Sequence, residues 1–578
     1  MKNQIKYYIG ILSLFLIISL SGCYDLDLYP HDKLSEGTFW KTREHADQAM
    51  AGVYSMLRND NVFGTVFGLD CLSDIATGFD PPSYDVIVRG TYTATTNKIV
   101  DKWSNLYEGI ARANLVIQNI GNVSENEMSQ EIKNQYIAEA KFLRALFYFQ
   151  LLDFYGAVPL YDEKVVVAKE FNAMMEPRST PDQVRSFILA DLDAAIASLP
   201  QEGDYAAAYY GRATKGAAQA LKGKVLLYNK QYSEASKLFE DVISSKKYAL
   251  YPSYENLFKP GGDASNEMIF AIQNIGGVGK DYGMPMAWYI GNRSTFGSCW
   301  NNVTAATDFV DSYEYKDGRP FNWEDWIPGF TTDDAIKDAT FRATLTSDLT
   351  KVAKYPDAKD LLLEMYDQRD PRMQQSLILP YTWYKGWVSN APKDCEYVIA
   401  TGVNEKNGFI RLGGKGWNIY LWRKFVPEYD MNGAINDRAH TPINFPLIRY
   451  ADVLLMLAEC YNEMERQDDA VSLINQIRAR VNMPGINSGP SWLEASTKEE
   501  VFERIKHERA VELAIEGHRF SDLKRWGLLE TLNGKAEKGF TGKAYYTRVV
   551  RSRDYLWPIP QQEIDMNKNL LPQNPGWE

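Results

Sequence analysis

His507 and Glu508, in KHERAVEL, form the pair in this chain nearest to a catalytic motif. A helix-borne zinc site needs a second histidine four residues after the first, so that both imidazoles share one face. Position 511 is Val511, and the site fails. No Gly-x-Ser-x-Gly elbow offers an activated serine. PGGDAS and LGGKGW are rich in glycine but lack a P-loop or dinucleotide fingerprint. The five histidines are dispersed, and Cys71, Cys299, Cys395 and Cys460 form no CxxC pattern for zinc. Whether those four cysteines pair stays open. Carboxylates are plentiful, so a glycosidase pair is not excluded by counting, but nothing supports one. The sequence therefore assigns no catalytic residue, no metal and no cofactor. What stands out instead is aromatic: 14 Trp and 36 Tyr, with eight tryptophans between Trp288 and Trp422.

The elements that hold these side chains read mainly as α-helix. Ala46, Ala49, Met50 and Val53 share one face of a helix within 38–60. Helical spacing returns at 101–120 and runs through 130–156, where Ala140, Leu143, Phe147 and Leu151 recur at three- and four-residue steps. Residues 213–259 predict two more helices, with Tyr228, Tyr232, Ala235 and Phe239 alternating large and small. Residues 450–481 echo them with Ala458, Tyr461, Ala470 and Ile474. Both resemble tetratricopeptide helix pairs, far apart in sequence. The expectation is a helical platform, mainly 38–275 and 441–540, with a loop-rich region at about 276–440. Residues 61–100, rich in Gly, Thr, Asp and Tyr, predict a long functional loop. The charge-dense run 503–527 reads as one helix whose Glu and Arg residues pair with each other and with nearby backbone. DQRDPRM (367–373) reads as Arg–Asp pairing that fixes a turn.

The chain has 578 residues and a formal charge of −12. Its acidic balance argues against a nucleic-acid partner. Lys2 and Lys6 precede the apolar run YYIGILSLFLIISL, which is short for a membrane span and has the form of a secretory signal. LSGC (20–23) resembles a bacterial lipoprotein signal. That resemblance implies removal of residues 1–22 and acylation of Cys23, giving a lipid anchor. Asp25 and Asp27 are similar to surface-export signals of Bacteroidetes lipoproteins.

A longer series of segments resembles one family along nearly the whole mature chain. These are FWKTREHADQAMAGVYS, WSNLYEGIARAN, EAKFLRALFYFQLLDFYGAVPL, FVDSYEYKDGRP, RDPRM, PLIRYADVLLMLAECYNE, INQIRARVNMP, ERAVELAIEGHRFSDLKRWG and LWPIPQQEIDMNKNLLPQNPGW, in that order. They are similar to the SusD/RagB nutrient-binding lipoproteins of the outer membrane. The resemblance implies a mainly α, SusD-like fold in which 23–578 is a single unit: tetratricopeptide-like helices under an irregular ligand-binding face. It implies a non-catalytic cell-surface protein, lipid-anchored in the outer membrane, that hands oligosaccharides to a SusC-like TonB-dependent transporter. A peptide-binding lid of the same kind of transporter is the alternative. A surface glycosidase and a protein-binding scaffold are the remaining rivals.

Sugars present flat C–H faces ringed by hydroxyls, so a sugar site needs loop-borne aromatics with polar neighbours. Two regions fit. Residues 61–100 offer Asp74, Tyr84, Arg89, Tyr92 and Asn97. Residues 281–330 offer Trp288, Tyr289, Asn292, Trp300, Trp323 and Trp326. Trp40, Trp103, Trp526 and Trp557 lie in the structural segments and are expected to pack.

Overall fold

The computed structural model describes residues 39–165, 174–279, 281–413 and 417–577. The signal segment and Cys23 lie outside the described residues. Helix accounts for 48% of the chain and strand for 10%, so the fold is mainly α.

The platform is a stack of helices packed in sequence order: α1 (Arg43–Ser55), α2 (Asn97–Asn119), α3 (Gln130–Tyr155), α4 (Pro181–Ser198), α5 (Lys215–Tyr228) and α6 (Tyr232–Ser244). Each begins for a local reason. Thr42, Ser129 and Thr214 accept backbone N–H groups at the N-termini of α1, α3 and α5. Thr180 and Gln183 form a reciprocal capping box on α4, with Pro181 at the first helical position. α3 stops at Gly156, which takes φ +73°. α6 packs on α7 (Tyr450–Glu463), which continues into α8 (Gln467–Arg480) and α9 (Lys498–Glu512). The stack is thus continuous in space although a long insertion divides it in sequence. Trp40, Trp103 and Trp557 are buried within this framework, while Trp526 is half-buried with its indole N–H donated to Glu459 Oε1 at 3.1 Å.

Close approach of α5 and α6 depends on a missing side chain. A Cβ on Gly223 would lie 2.5 Å from the Phe239 ring, and both residues are buried. Gly223→Ala should therefore destabilise the chain by about 1–3 kcal/mol through overpacking. This more than offsets the gain of roughly 1 kcal/mol in helix propensity. Urea unfolding checks it, and a raised midpoint would contradict the packing argument.

The strands are short and antiparallel. β1 is Ala76–Gly78 and β2 is Met268–Ile272. They are followed by β3 (Val303–Ala305), β4 (Trp383–Val388), β5 (Ala391–Glu396) and β6 (Phe445–Arg449). β2 pairs with β6, so residues 273–444 leave the platform and return to it side by side. β1 pairs with β3 and ties residues 61–100 to that insertion. β4 and β5 form a hairpin whose turn residues, Ser389 and Asn390, both have positive φ, as a two-residue hairpin turn requires.

Two sequence expectations change. Residues 61–100 are not an open loop: Val62–Leu72 is buried throughout, wound in π and 3-10 turns. The charged run 503–527 is not one helix. α9 ends at Glu512, the chain turns through Ile515 (φ +61°) and Gly517 (φ +81°), and α10 (Arg519–Arg525) follows. Its charges do pair, in a buried network. Arg372 meets Asp370, Glu508 and Glu512, and Arg509 meets Asp452 and Asp522. Arg369 instead donates to the carbonyls of Val310, Asp311 and Tyr313. Cys71, Cys299, Cys395 and Cys460 are buried and unpaired.

Candidate functional site

Aromatic and polar groups converge where the insertion meets the chain after α1. A one-turn helix, Met286–Ile290, carries Trp288 and Tyr289. The next residues double back on it. Trp300 N–H donates to the Trp288 carbonyl at 2.9 Å, Asn301 N–H to Gly291 O at 2.7 Å, and Cys299 N–H to Asn292 O at 3.1 Å. A Cβ on Gly291 would lie 2.5 Å from Ala287 O, so a larger residue there would open the turn. The fold-back sets the indoles of Trp288 and Trp300 nearly parallel, 13° apart, with centroids separated by 6.5 Å. Arg438 sits 3.9 Å over the Trp288 ring and Arg293 sits 4.5 Å over Trp300. These cation–π contacts stiffen both rings. Burial lowers the Arg293 pKa, and the neighbouring guanidiniums of Arg411 and Arg438 lower it further.

Two adjoining cavities open beside the rings, of about 350 and 310 Å³, and they share Asp60, Trp288 and Tyr289. The first is walled by Arg58, Asn59, Asn61 and His440. The second adds Pro81, Pro82, Lys98, Trp300 and Asn302. Asp60 is exposed at the start of the π turn Asp60–Gly64, capped by Asn59. Phe79 N–H donates to Asn302 O at 3.0 Å, which draws the Pro81–Pro82 turn alongside Trp300. His440 is fixed by Asp437 at 2.6 Å. Burial lowers the Lys98 pKa, partly offset by Asp60 and Asp101. The volumes fall in the range of small-molecule sites, and aromatic faces with flanking amides, carboxylate and cations suit a hydroxyl-rich ligand.

Of the eleven residues singled out from sequence, the fold brings Trp288, Tyr289 and Trp300 together here. The others are placed elsewhere or turned inward. Asn292 is buried; its side-chain oxygen accepts Ser294 N–H at 2.8 Å and shapes the fold-back. Asp74 forms a bidentate pair with Arg519 at 2.8 and 2.9 Å. Tyr84 is buried near Trp557. Tyr92 is buried and donates its hydroxyl to Asp554 at 2.8 Å. Arg89 lies 4.8 Å over the Tyr546 ring. Asn97 is exposed at the first turn of α2, where its neighbour Lys98 faces the cavity. Trp323 stacks on Phe330 at 3.8 Å and donates to Asp311, while Trp326 donates to Tyr315 Oη at 2.8 Å. These two belong to a separate packed aromatic cluster. Asn59, Asp60, Asn61, Lys98, Asn302 and His440 were not anticipated. The polar triplet Asn59-Asp60-Asn61, set between apolar runs, was the signal for three of them.

Comparison with known proteins agrees with this architecture. A family model described as the SusD family matches residues 266–577. A second, described as "Starch-binding associating with outer membrane", matches residues 26–227. SusD-like protein P25 of Formosa agariphila is 26% identical, covering 97% of this chain and 97% of that protein. The starch-binding protein SusD of Bacteroides thetaiotaomicron is 24% identical over 76% of this chain and 72% of its own length. A SusD-like carbohydrate-binding protein of Bacteroides fragilis superposes with a TM-score of 0.73 at 26% identity, over 92% of this chain and 100% of that structure. The chain therefore belongs to the SusD family, a family of non-catalytic glycan-binding proteins associated with the outer membrane.

Proposed function

We propose that this chain captures oligosaccharides at the cell surface and delivers them to a SusC-like TonB-dependent transporter, held to the outer membrane by lipid on Cys23. The observation that carries the reading is the near-parallel Trp288–Trp300 pair beside a groove rimmed by Asp60, Asn59 and Asn302. Sugar C–H faces stack on the indoles, and the rim groups exchange hydrogen bonds with the ring hydroxyls. The relative named for starch and the carbohydrate-binding neighbour support a glycan over a peptide. A peptide would also call for a row of backbone-pairing groups, and among the described residues no strand lines this groove.

The test is calorimetric titration of the full-length chain in mild detergent. The panel holds malto- and laminari-oligosaccharides from trisaccharide to heptasaccharide, other plant and microbial oligosaccharides, and peptides. Binding of a sugar without its cleavage is the expected result. Binding of peptides alone would overturn the sugar reading.

A further inference from the structure

The hairpin β4–β5 carries an exposed aromatic face that the groove does not explain. Strand alternation buries Tyr384, Gly386 and Val388 and turns Trp383, Lys385 and Trp387 outward. Trp383 is 59% exposed. The two indoles are four residue steps apart along one strand, about 13 Å, more than one sugar ring covers. Polar groups fill the space between them. Lys385 Nζ reaches Glu428 Oε2 at 3.1 Å. Asp394, directly across the ladder from Lys385, accepts the Tyr429 hydroxyl at 2.7 Å. This composition matches the groove: flat rings alternating with donors and acceptors. Trp383 projects exposed and Trp387 half-buried from this face, so each leaves ring surface open to a ligand.

The hairpin is also continuous with the groove. Trp387 N–H donates to Ser294 O at 2.8 Å, and a Cβ on Gly386 would lie 2.6 Å from that same carbonyl. Phe296 packs against the Trp387 ring with centroids 5.8 Å apart. Arg438 donates to Gly297 O while stacking on Trp288. The segment Phe296–Gly297 therefore bridges the two places, with Gly297 bonded to the Arg438 that covers Trp288 and Phe296 packed on Trp387 of the hairpin.

We infer that the outward face of β4–β5 is a second saccharide-binding face, which takes the flanking sugars of the same oligosaccharide chain whose core lies on Trp288 and Trp300. The inference rests on the proposed function, and chain length separates the two. The experiment titrates the full-length chain and its Trp383→Ala/Trp387→Ala variant with trisaccharides and heptasaccharides of the malto and laminari series. The expected result is trisaccharide affinity equal to wild type and heptasaccharide affinity about tenfold weaker, with Trp387→Phe alone close to wild type. Equal heptasaccharide affinity in variant and wild type overturns this inference and leaves the groove standing. An equal loss for both lengths also overturns it, because the hairpin would then act only by supporting the Trp300 loop. Where the wild type binds another series of the wider panel, the same two lengths of that series are compared; a wild type that binds no oligosaccharide of the panel removes the groove reading together with this one.

Discussion

Arg449→Leu is expected to lower the folding stability of this chain by about 3–5 kcal/mol, the range for removing one partner from a buried ion cluster. Arg449 is fully buried where β6 enters α7. Its guanidinium donates to Glu267 at 2.8 Å, to Glu512 at 2.7 Å, and twice to Glu516 at 2.8 Å. One side chain thus joins the residue before β2, the end of α9 and the turn after it. Leucine fills part of the volume but strands carboxylates that Arg480, Arg372 and Lys424 only partly neutralise. Urea unfolding measures the loss, and an unchanged midpoint would sink the argument. The effect has a pH signature. Burial alone would raise Glu512, but Arg480, Arg449 and Arg372 hold it well below its ordinary value of 4.5. A depressed carboxylate contributes stability that is complete above its unfolded pKa and is lost as pH falls. The gap between wild type and variant should therefore be full above pH ~4.5 and narrow toward acid.

The same cluster shows why periodicity located the platform but not its joints. Segments with three- and four-residue spacing of Ala, Leu and Phe became α3, α5 and α7, because burial of one face decides a helix locally. The run 503–527 carries helical charge spacing too, yet it breaks after Glu512. Its partners include Arg449 on β6, Asp452 and Glu459 on α7 and Arg480 on α8, all outside the run, and charge spacing cannot reveal them. Residues 61–100 misled for a related reason. Their π and 3-10 turns have no apolar period, and the contacts that bury them come from the far end of the sequence. Asp74 meets Arg519, Tyr92 meets Asp554, and Val88 O accepts Val549 N–H. A stretch that reads as an open loop is held inside by the C-terminal segment.

At the candidate site, the tryptophans singled out by composition lie beside the cavities where they sit in a tight fold-back and are covered where other side chains pack on them. Trp288 and Trp300 are twelve positions apart, but the hydrogen bond between their backbones closes that distance. Trp323 and Trp326 have the same composition around them, yet Phe330, Asp311 and Tyr315 occupy their faces and N–H groups. Composition cannot separate the cases; only a count of free faces can. Asp60, Lys98 and His440 were illegible for another reason. Each comes from a different segment, and their convergence depends on the β1–β3 pairing and on the Met284–Thr441 bridge.

Trp288→Ala should weaken binding of the cognate oligosaccharide by about a hundredfold or more, the scale of a central aromatic hot spot. Trp288 is the only tryptophan that lines both cavities, and Arg438 covers one of its faces at 3.9 Å. Alanine removes the stacking surface shared by the cavities and frees Arg438 to move into the space. Trp300 then loses its parallel partner, although its backbone bond to residue 288 remains, so the fold-back itself should persist. Trp300→Ala should cost less, because that ring lines only the second cavity. Trp288→Phe keeps an aromatic face of smaller area and should fall between wild type and Trp288→Ala. Calorimetric titration ranks the variants, and a thermal melt confirms that each remains folded. The order Trp288→Ala weakest, then Trp300→Ala, then Trp288→Phe is the discriminating result. Wild-type affinity in a folded Trp288→Ala chain would move the site away from this groove, because among the described residues only Tyr289 offers another ring that lines both cavities.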